Sequence, residues 1–304
     1  MPESHVASEN GAQICRITCG WKKDELPLDA VRRYWRDVHS PAIARRPGIW
    51  EYRHYQFDAV RTLFPALGDV EQACPVDEQL MWLSDVRYAD DVALATFAAD
   101  PGEQVRGQLL GDIDLIVAQS TTYKAVGDMA RTLVDRSAVI PPQGPPPQPA
   151  FGLFFRGRSP EAEFRAAITA LAKRWAQTPG VVRLRASMLE APDVAAERAA
   201  GYPIKTHPPE RQYQAWFDLT VEDEASAGTL PLDGIAAHVH TLHAYPVAAN
   251  YTSNCAGKPT FVGLRGYPAY AALTSIGGYN QAQPQILEWM YGPVAAGVTL
   301  ERIG

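Results

Sequence analysis

Hydrophobic positions follow two periods along the chain, and they predict strands and helices in the same order in both halves. Alternating apolar and polar residues are typical of strands, and apolar residues three or four positions apart are typical of helices. In the first half, strands are predicted over residues 13–20, 49–57, 80–86 and 113–123. A helix is predicted over residues 28–38, ended by Pro41, and residues 90–110 are predicted to be mostly helical.

The second half repeats this order after a proline-rich boundary. Its strands are predicted over residues 151–156, 181–189, 213–220 and 237–245, with a helix over 160–177 and a shorter helical or loop segment over 222–234. Ser159 is expected to cap the long helix. The boundary, Ile140 to Pro149, is too rich in proline for helix or sheet, so it predicts a stiff and extended linker.

This order is the split βαβ pattern, present twice. An open four-stranded sheet with helices on one face leaves its other apolar face to be buried. We therefore predict an α+β fold in which two tandem ferredoxin-like modules pair to form an intrachain dimeric α/β-barrel. The predicted divisions are a first module over 1–139, the linker over 140–149, a degenerate second module over 150–246 and a glycine- and aromatic-rich C-terminal extension over 247–304. The extension is expected to pack against the barrel or another subunit rather than to form a substrate lid.

Composition and charge narrow the class of protein. The chain has 304 residues, of which 46% are hydrophobic and 20% charged, as in globular proteins with a substantial core. The net charge of −6 makes nucleic acid and anionic membranes poor partners. The sequence has no apolar run of the ~18 residues that a membrane span needs, and its polar first dozen residues predict a frayed tail rather than a secretory signal. The four cysteines show no pairing pattern, which favours a cytoplasmic protein.

One segment of the first half resembles a known family. Residues 34–41 (YWRDVHSP) are followed by Arg46-Pro47-Gly48-Ile49 and Tyr52, and this arrangement is similar to the signature of EthD-domain proteins. The resemblance covers residues 13–125 and is weak over 150–247. It implies the dimeric α/β-barrel superfamily. That superfamily includes isomerases, polyketide cyclases and dehydratases, cofactor-free monooxygenases and haem enzymes, so the resemblance implies a fold more narrowly than a reaction.

His39 is the main candidate for chemistry. It lies four residues after Trp35 on one helical face, in the predicted last turn, where the helix dipole favours imidazolium. The resemblance implies that His39 is an acid/base group, as the matching histidine is in several EthD-like enzymes. The alternative is a histidine that only caps the helix. The second half carries Trp175 without a matching histidine, which predicts one working site, in the first half.

The second predicted strand and its neighbours add further candidates. With regular alternation, Trp50, Tyr52 and His54 share one face. Tyr52 matches the family's strand tyrosine, which implies a hydrogen bond to a substrate carbonyl, and His54 is either a second proton carrier or a hydrogen-bonded core residue. Asp85 is predicted to orient His39, because a third group usually fixes the tautomer of a histidine base. The predicted pocket residues are Trp35, Trp50, Trp82, Phe97 and Tyr123.

Two histidines of the last predicted strand raise the question of a metal. His238 and His240 would share one strand face about 6.6 Å apart. The sequence does not indicate a third ligand for a metal ion. We therefore favour the interpretation that these histidines line the barrel or an interface over the interpretation that they bind a metal. The chain has no motif for dinucleotides, nucleoside triphosphates, serine hydrolysis or zinc proteolysis. No cofactor is therefore expected, and haem is the less favoured alternative.

These residues predict a cofactor-independent lyase, dehydratase-like, or an isomerase. It would act by His39 acid/base catalysis on a small apolar carbonyl, aromatic or polyketide-like compound. Two alternatives stay open: a monooxygenase or haem-dependent enzyme on the same fold, and a non-catalytic accessory protein that binds a small molecule. The expected partner is a small-molecule substrate, and a homodimer is the other association considered.

Overall fold

The computed structural model describes residues 2–138, 141–199 and 206–298. Its strands are β1 (Ile14–Lys22), β2 (Ile49–Phe57), β3 (Trp82–Tyr88), β4 (Val117–Val126), β5 (Ala130–Asp135), β6 (Gln143–Gly144), β7 (Ala150–Gly157), β8 (Val181–Met188), β9 (Ala215–Val221), β10 (Val239–Cys255) and β11 (Lys258–Pro259). Its helices are α1 (Pro2–Glu9), α2 (Leu28–Tyr34), α3 (Ser40–Ala44), α4 (Asp91–Ala99), α5 (Glu103–Ile116), α6 (Glu161–Ala176), α7 (Val194–Ala199), α8 (Glu224–Gly228), α9 (Phe261–Arg265), α10 (Tyr267–Ile276) and α11 (Pro284–Tyr291).

The main strands of each half pair in the same order. The order is β4-β1-β3-β2 in the first half and β10-β7-β9-β8 in the second, with antiparallel neighbours throughout. In both halves the fourth strand in sequence lies beside the first, and the second strand lies at the opposite edge. The protein therefore has a mixed α+β fold with a large antiparallel sheet.

Two strands cross from one half to the other. β10 pairs with β7 along its first part and with β2 from Val247 to Asn254, while β5, which follows β4, pairs with β8. The predicted last strand, 237–245, was too short. Its continuation is stabilised by β2, a distant partner that local periodicity does not reveal. Residues 247–255 thus belong to the sheet and not to the C-terminal extension.

The helix that carries His39 does not end at Pro41 but continues through α3 to Ala44. A π-helical segment, Trp35–His39, joins α2 to α3, and in it the Ser40 N–H bonds the Trp35 carbonyl. Proline has no N–H for the carbonyl one turn before it, so the backbone widens there instead of breaking.

Two other helix boundaries also differ from the prediction. Helix α5 runs to Ile116, so residues 113–116 are helical rather than the start of a strand. Helix α6 has Pro160 at its N-cap and no side-chain cap, so Ser159 lies one residue too early to cap it. Both differences arise at helix ends, which the apolar period does not locate.

The N-terminal segment is a helix rather than a frayed tail. Glu9, at the end of α1, is buried and accepts hydrogen bonds from Thr132 and Arg53. A further bond joins Glu9 Oε2 to Arg183 Nη2 at 2.9 Å. Because Arg53 lies on β2 and Arg183 on β8, this single carboxylate connects the two halves.

The apolar cores differ between the halves. One core is shared by both halves and contains Ile17, Phe154 and Trp216. The second-half sheet and α6 enclose a further large core around Trp175. In the first half, by contrast, the residues between sheet and helices form two smaller clusters, one of them around Trp35. A cavity lies between these two clusters.

The C-terminal helices pack against the first half of the chain. Arg45 donates a hydrogen bond to the Leu264 carbonyl, and the Arg36 guanidinium lies 4.7 Å from the centre of the Tyr267 ring. This is the packing role expected for the extension. Within the described ranges, none of the helices combines the length and the apolar character that crossing a bilayer requires.

Candidate active site

A cavity of about 140 Å³ lies between the first-half sheet and the helices that cover it. Its sheet side carries polar groups, including Arg16, Thr18 and Ser84. Its helix side is mainly apolar. Of the nine sequence-predicted site residues, those that line the cavity are Trp35, His39, Tyr52 and Phe97. Trp35 and His39 come from one segment between α2 and α3, Tyr52 from β2 and Phe97 from α4, and the fold brings the four side chains to one cavity.

The π-helical segment stacks His39 on Trp35. The two ring centroids are 4.1 Å apart and the ring planes differ by 27°. Both side chains are buried and line the cavity. The predicted common face is therefore confirmed. However, the helix continues beyond His39 to Ala44, so the expected effect of a helix C-terminus on the imidazole is weaker than the sequence suggested.

The carboxylate of Asp112 fixes the tautomer of His39. Asp112 Oδ2 lies 2.8 Å from His39 Nδ1, and since a carboxylate only accepts hydrogen bonds, Nδ1 carries the hydrogen. The same oxygen accepts a bond of 3.2 Å from the Tyr34 hydroxyl. This arrangement leaves the lone pair on Nε2, which is what a general base requires.

Asp85, which was predicted to orient His39, points the other way. Adjacent strand residues face opposite sides of a sheet, and Ser84 takes the side of the cavity. Asp85 instead accepts a hydrogen bond from Arg87 Nη2 at 2.5 Å and lies 3.8 Å from Arg185 of the second half. Burial raises the pKa of Asp85, but Arg87 and Arg185 outweigh burial and the net shift is downward. Asp85 therefore forms a buried ion pair with Arg87 that stabilises the fold.

Trp50 leaves the predicted face because β2 is irregular at this point. Ile49 pairs with Tyr88 and Glu51 with Arg87, so the register shifts between Ile49 and Glu51. An extra residue of this kind breaks the alternation of side chains. The Trp50 indole donates a 2.8 Å hydrogen bond to the carbonyl of Ser8 and does not line the cavity.

Tyr123 and His54 are buried outside the cavity. The Tyr123 hydroxyl accepts a 2.9 Å hydrogen bond from the Tyr213 N–H, within the core that both halves share. The ring centroids of His54 and Trp35 are 6.3 Å apart, and His54 Nε2 lies 3.4 Å from Gln56 Nε2. Burial first, then the positive charges around it, lower the pKa of His54 to about 3. A neutral, enclosed imidazole fits the interpretation of His54 as a core residue better than its interpretation as a second proton carrier.

Trp35 is supported on two sides. Its Nε1 donates a 3.3 Å hydrogen bond to Ser84 Oγ, and Trp82 packs behind it at 4.9 Å between ring centroids. Trp82 fits there because residue 20 is glycine: a Cβ on Gly20 would lie 2.1 Å from the Trp82 ring. Trp82 is thus the support of the cavity wall and does not line the cavity itself.

Tyr52 supplies a hydroxyl group at the cavity. This hydroxyl lies 3.0 Å from Ser40 Oγ, which follows His39 directly in the chain. Burial raises the pKa of Tyr52, so the phenol keeps its proton and can donate a hydrogen bond. The cavity therefore combines an acceptor nitrogen, on His39, with phenolic and hydroxyl donors.

The described residues offer little to a metal ion. Neither His238 nor His240 belongs to a described cluster of three metal-type ligands. Such a cluster within the described ranges is His5, Glu9 and Asp135. Both carboxylates of this cluster already bond Arg183, and Glu9 also bonds Arg53. Their positive charge opposes a cation at this position.

The matching part of the second half is filled. Trp175, which corresponds to Trp35, is fully buried, and its Nε1 donates a 2.8 Å hydrogen bond to the Pro231 carbonyl. Phe164 and Phe217 belong to the same apolar core. The first half therefore differs from the second in having both a histidine and space beside its tryptophan.

Sequence reasoning missed Asp112, Ser84 and Ser40. Asp112 falls between the predicted helix, which ends at Leu110, and the predicted strand, which begins at Ile113. The apolar spacing Leu109, Ile113, Ile116 continues the helical period and could have placed Asp112 on the helix. Ser84 and Ser40 carry no comparable signal, since single serines are common in strands and helices.

No protein-family model and no curated protein matches this sequence. Among solved structures, the chain is similar to a candidate monooxygenase of Fusobacterium nucleatum, with 10% identity over 82% of this chain and 97% of the other, at a TM-score of 0.46. It is also similar to an anthrone oxidase-like protein, with 11% identity over 79% of this chain and 93% of the other, at a TM-score of 0.46. A candidate monooxygenase of Lactobacillus acidophilus has 8% identity over 80% of this chain and 97% of its own length, at a TM-score of 0.41.

Proposed function

We propose that this protein is an acid/base enzyme that removes a proton from a small, largely apolar carbonyl or aromatic compound. The observation that carries the proposal is the His39–Asp112 pair beside Trp35, at a cavity that also receives the Tyr52 hydroxyl. His39 Nε2 takes the proton, and the Asp112 carboxylate stabilises the imidazolium that forms.

The charge that develops on the substrate needs a partner as well. When a proton leaves the carbon next to a carbonyl, negative charge moves to the carbonyl oxygen. Tyr52 stays protonated and, with Ser84, offers hydroxyl donors at the cavity. Such donors stabilise an enolate most strongly where water is excluded. The apolar residues around Phe97 and Trp35 leave few polar groups on the helix side of the cavity to hold water.

The fold assignment belongs to the same proposal. The common strand order and the reciprocal pairing of β10 with β2 and of β5 with β8 support a tandem pair of ferredoxin-like modules that closes as an intrachain dimeric α/β-barrel. We place the module boundary in the proline-rich segment 140–149 and count the crossing strand β10 with both modules. Contrary to the expectation that this segment is too rich in proline for sheet, its residues Gln143 and Gly144 form β6 and pair with β10. Membership of the EthD family stays a prediction from the motif around His39.

The fate of the carbanion separates two candidate functions: the first covers proton return and elimination, and the second is monooxygenation. Return of the proton at another carbon gives an isomerase, and loss of a β-hydroxyl group gives a dehydratase-like lyase. The second candidate is monooxygenation, in which O₂ takes up the carbanion, one oxygen atom becomes a carbonyl of the product and the other leaves as water. The aromatic walls favour this candidate, because they suit an apolar, delocalised carbanion and small apolar O₂.

Proton exchange tests the shared first step. The purified protein is incubated with candidate ketones, lactones and phenolic aromatic ketones in deuterated water, and exchange is followed by NMR. We expect exchange that falls at least about 10²-fold in His39→Gln and is unchanged in His240→Gln, a matched change at an exposed histidine. Exchange from none of the compounds, or equal exchange in both variants, would count against the proposal. Oxygen uptake in the same samples decides between proton return and monooxygenation.

A further inference from the structure

Three residues with hydroxyl groups form one row across the sheet at the cavity. Thr18 on β1 pairs with Thr122 on β4 and, on its other side, with Ser84 on β3. All three residues of this hydroxyl row line the cavity beside His39. Neighbouring strands lie about 4.8 Å apart, so the hydroxyl row extends over roughly 10 Å of the sheet side of the cavity.

The second half carries an apolar row at the corresponding position. Phe217 corresponds to Ser84, since both precede a buried aspartate and both contact the tryptophan of their own half. Four neighbouring strands contribute one residue each to this row: Ala244, Leu153, Phe217 and Ala186. All four belong to the core that the second-half sheet and α6 enclose. A sheet of this kind therefore holds its helix without hydroxyl groups.

The hydroxyl row makes the first half less stable than an apolar row would. Each hydroxyl that takes the place of an alkyl group reduces the apolar surface buried between sheet and helices. A buried hydroxyl also needs a hydrogen-bond partner, which Ser84 finds in the Trp35 indole N–H. Because the matching half has no such row, the hydroxyl groups are expected to serve the binding of a ligand.

Thr18 and Thr122 can bond a ligand in both directions. Their hydroxyl oxygens lie 3.0 Å apart, and the hydrogen bond between them uses one of their two O–H hydrogens. The other hydrogen can donate to a ligand, and the remaining lone pairs can accept from one. A hydroxyl group also donates and accepts, whereas a carbonyl or carboxylate oxygen only accepts. A ligand hydroxyl is therefore the oxygen group that complements this pair most fully.

We propose that Thr18 and Thr122 bind a hydroxyl group of the substrate and so select which carbonyl compounds react at His39. The reacting carbonyl meets Tyr52 and Ser84, and the hydroxyl group lies at the Thr122 end of the row. The substrate class is thus a carbonyl compound with a hydroxyl group away from the reacting carbon. The inference rests on the proposed function for the reacting end, but binding of the hydroxyl group can be measured without turnover.

Matched single-ring ketones test this selection. A cavity of about 140 Å³ is close to the size that accepts one benzene ring. Calorimetry at about pH 6, where a phenol is uncharged, compares 3- and 4-hydroxyacetophenone with the corresponding methylacetophenones, in which a methyl group of similar size replaces the hydroxyl. We expect at least one hydroxy isomer to bind about 10-fold more tightly than its methyl counterpart, the gain of one or two neutral hydrogen bonds.

Variants of the threonine pair assign the preference to its hydroxyl groups. Thr18→Val and Thr122→Val keep the shape of the side chain and remove the oxygen. We expect the preference to fall about 3-fold or more in each variant and to disappear in the double variant. Thr18→Ser keeps the hydroxyl group and should keep the preference. Thr169→Val, at an exposed position of α6, is the control and should bind like the wild-type protein. Thermal melting verifies that each variant is folded.

A purely structural role of the pair would give a different result. If the two threonines served only as a cross-strand hydrogen bond, the valine variants would melt at a lower temperature but keep the preference for the hydroxy ketone. That outcome would overturn the inference. Equal binding of hydroxy and methyl ketones to the wild-type protein, or binding of neither, would overturn it as well.

The outcomes also separate this inference from the proposed function. His39→Gln should keep the preference for the hydroxy ketone while it loses exchange of the ketone methyl protons. A wild-type protein that prefers the hydroxy ketone but exchanges no proton would refute the proposed function and leave the hydroxyl site in place.

Discussion

Asp112 and His39 are 73 residues apart in the sequence, and their side chains meet at 2.8 Å. Asp112 comes from α5, whereas His39 comes from the π-helical segment between α2 and α3. The contact therefore depends on how two helices lie on one sheet. It also sets the chemistry, because it determines which nitrogen of His39 carries the hydrogen.

Removal of the Asp112 charge should lower turnover without weakening substrate binding. Asp112→Asn keeps the size of the side chain but cannot stabilise the imidazolium. We expect kcat to fall about 10²-fold or more, with little change in KM. Asp114→Asn, at an exposed position of the same helix, should leave both constants unchanged. Steady-state kinetics of the two variants measure this, and wild-type turnover in Asp112→Asn would refute the role of Asp112.

Gly20 is expected to be essential for the wall behind His39. A methyl group at this position would lie 2.1 Å from the Trp82 ring, which in turn supports Trp35. We expect Gly20→Ala to cost about 1–3 kcal/mol of unfolding free energy, as in other overpacked cores. Urea unfolding and near-UV circular dichroism measure the loss and the displacement of the tryptophans.

A second glycine provides the control for that experiment. A Cβ on Gly107, within α5, would meet no heavy atom within 4 Å apart from its chain neighbours and the backbone of its own helix. Because alanine stabilises a helix interior relative to glycine, Gly107→Ala should raise the unfolding free energy by about 0.5–1 kcal/mol. Equal effects of the two substitutions would show that the space beside Trp82 is not the cause.

The sequence predicts most of the element order because periodicity is a local property. It also places Trp35 and His39 on one face, since their four-residue spacing holds in both α- and π-helical backbone. What it could not show depends on distant partners. The extension of β10 depends on β2, and the selection of Asp112 over Asp85 depends on which face of the sheet each group occupies. The displacement of Trp50 depends on one irregular pair in β2.

Glu9 should contribute strongly to stability although it lies in the first turns of the chain. Burial raises its pKa, but Arg183 and Arg53 outweigh burial, so the pKa falls well below its usual range. Replacement of one partner in a buried ion network leaves the other charges uncompensated. We expect Glu9→Gln to lower the unfolding free energy by about 3–5 kcal/mol. Urea denaturation measures the change, and exposed Glu25→Gln, which should have almost no effect, is the control.

The lowered pKa of His54 predicts that the protein becomes less stable in mild acid. The pKa of His54 is about 3 in the folded protein, mainly because it is buried, against 6.5 for a free histidine. Between these values the unfolded chain binds a proton that the folded protein does not, so stability falls as the pH is lowered below about 6.5. His207 and His243, whose pKa values burial lowers to about 4, add to the same trend.

Replacement of His54 should therefore make stability less dependent on pH. His54→Gln loses ring contacts with Trp35 and Tyr251, so its stability at pH 7 is also expected to fall. The informative quantity is the slope of unfolding free energy against pH between 6 and 4, measured by urea denaturation. We expect this slope to decrease by about one proton, or about 1.4 kcal/mol per pH unit. His240→Gln, at an exposed position, should retain the wild-type slope. If His54→Gln also retained the wild-type slope, His54 would have to be protonated in the folded protein. The buried position of His54 between Trp35 and Tyr251 would then be refuted.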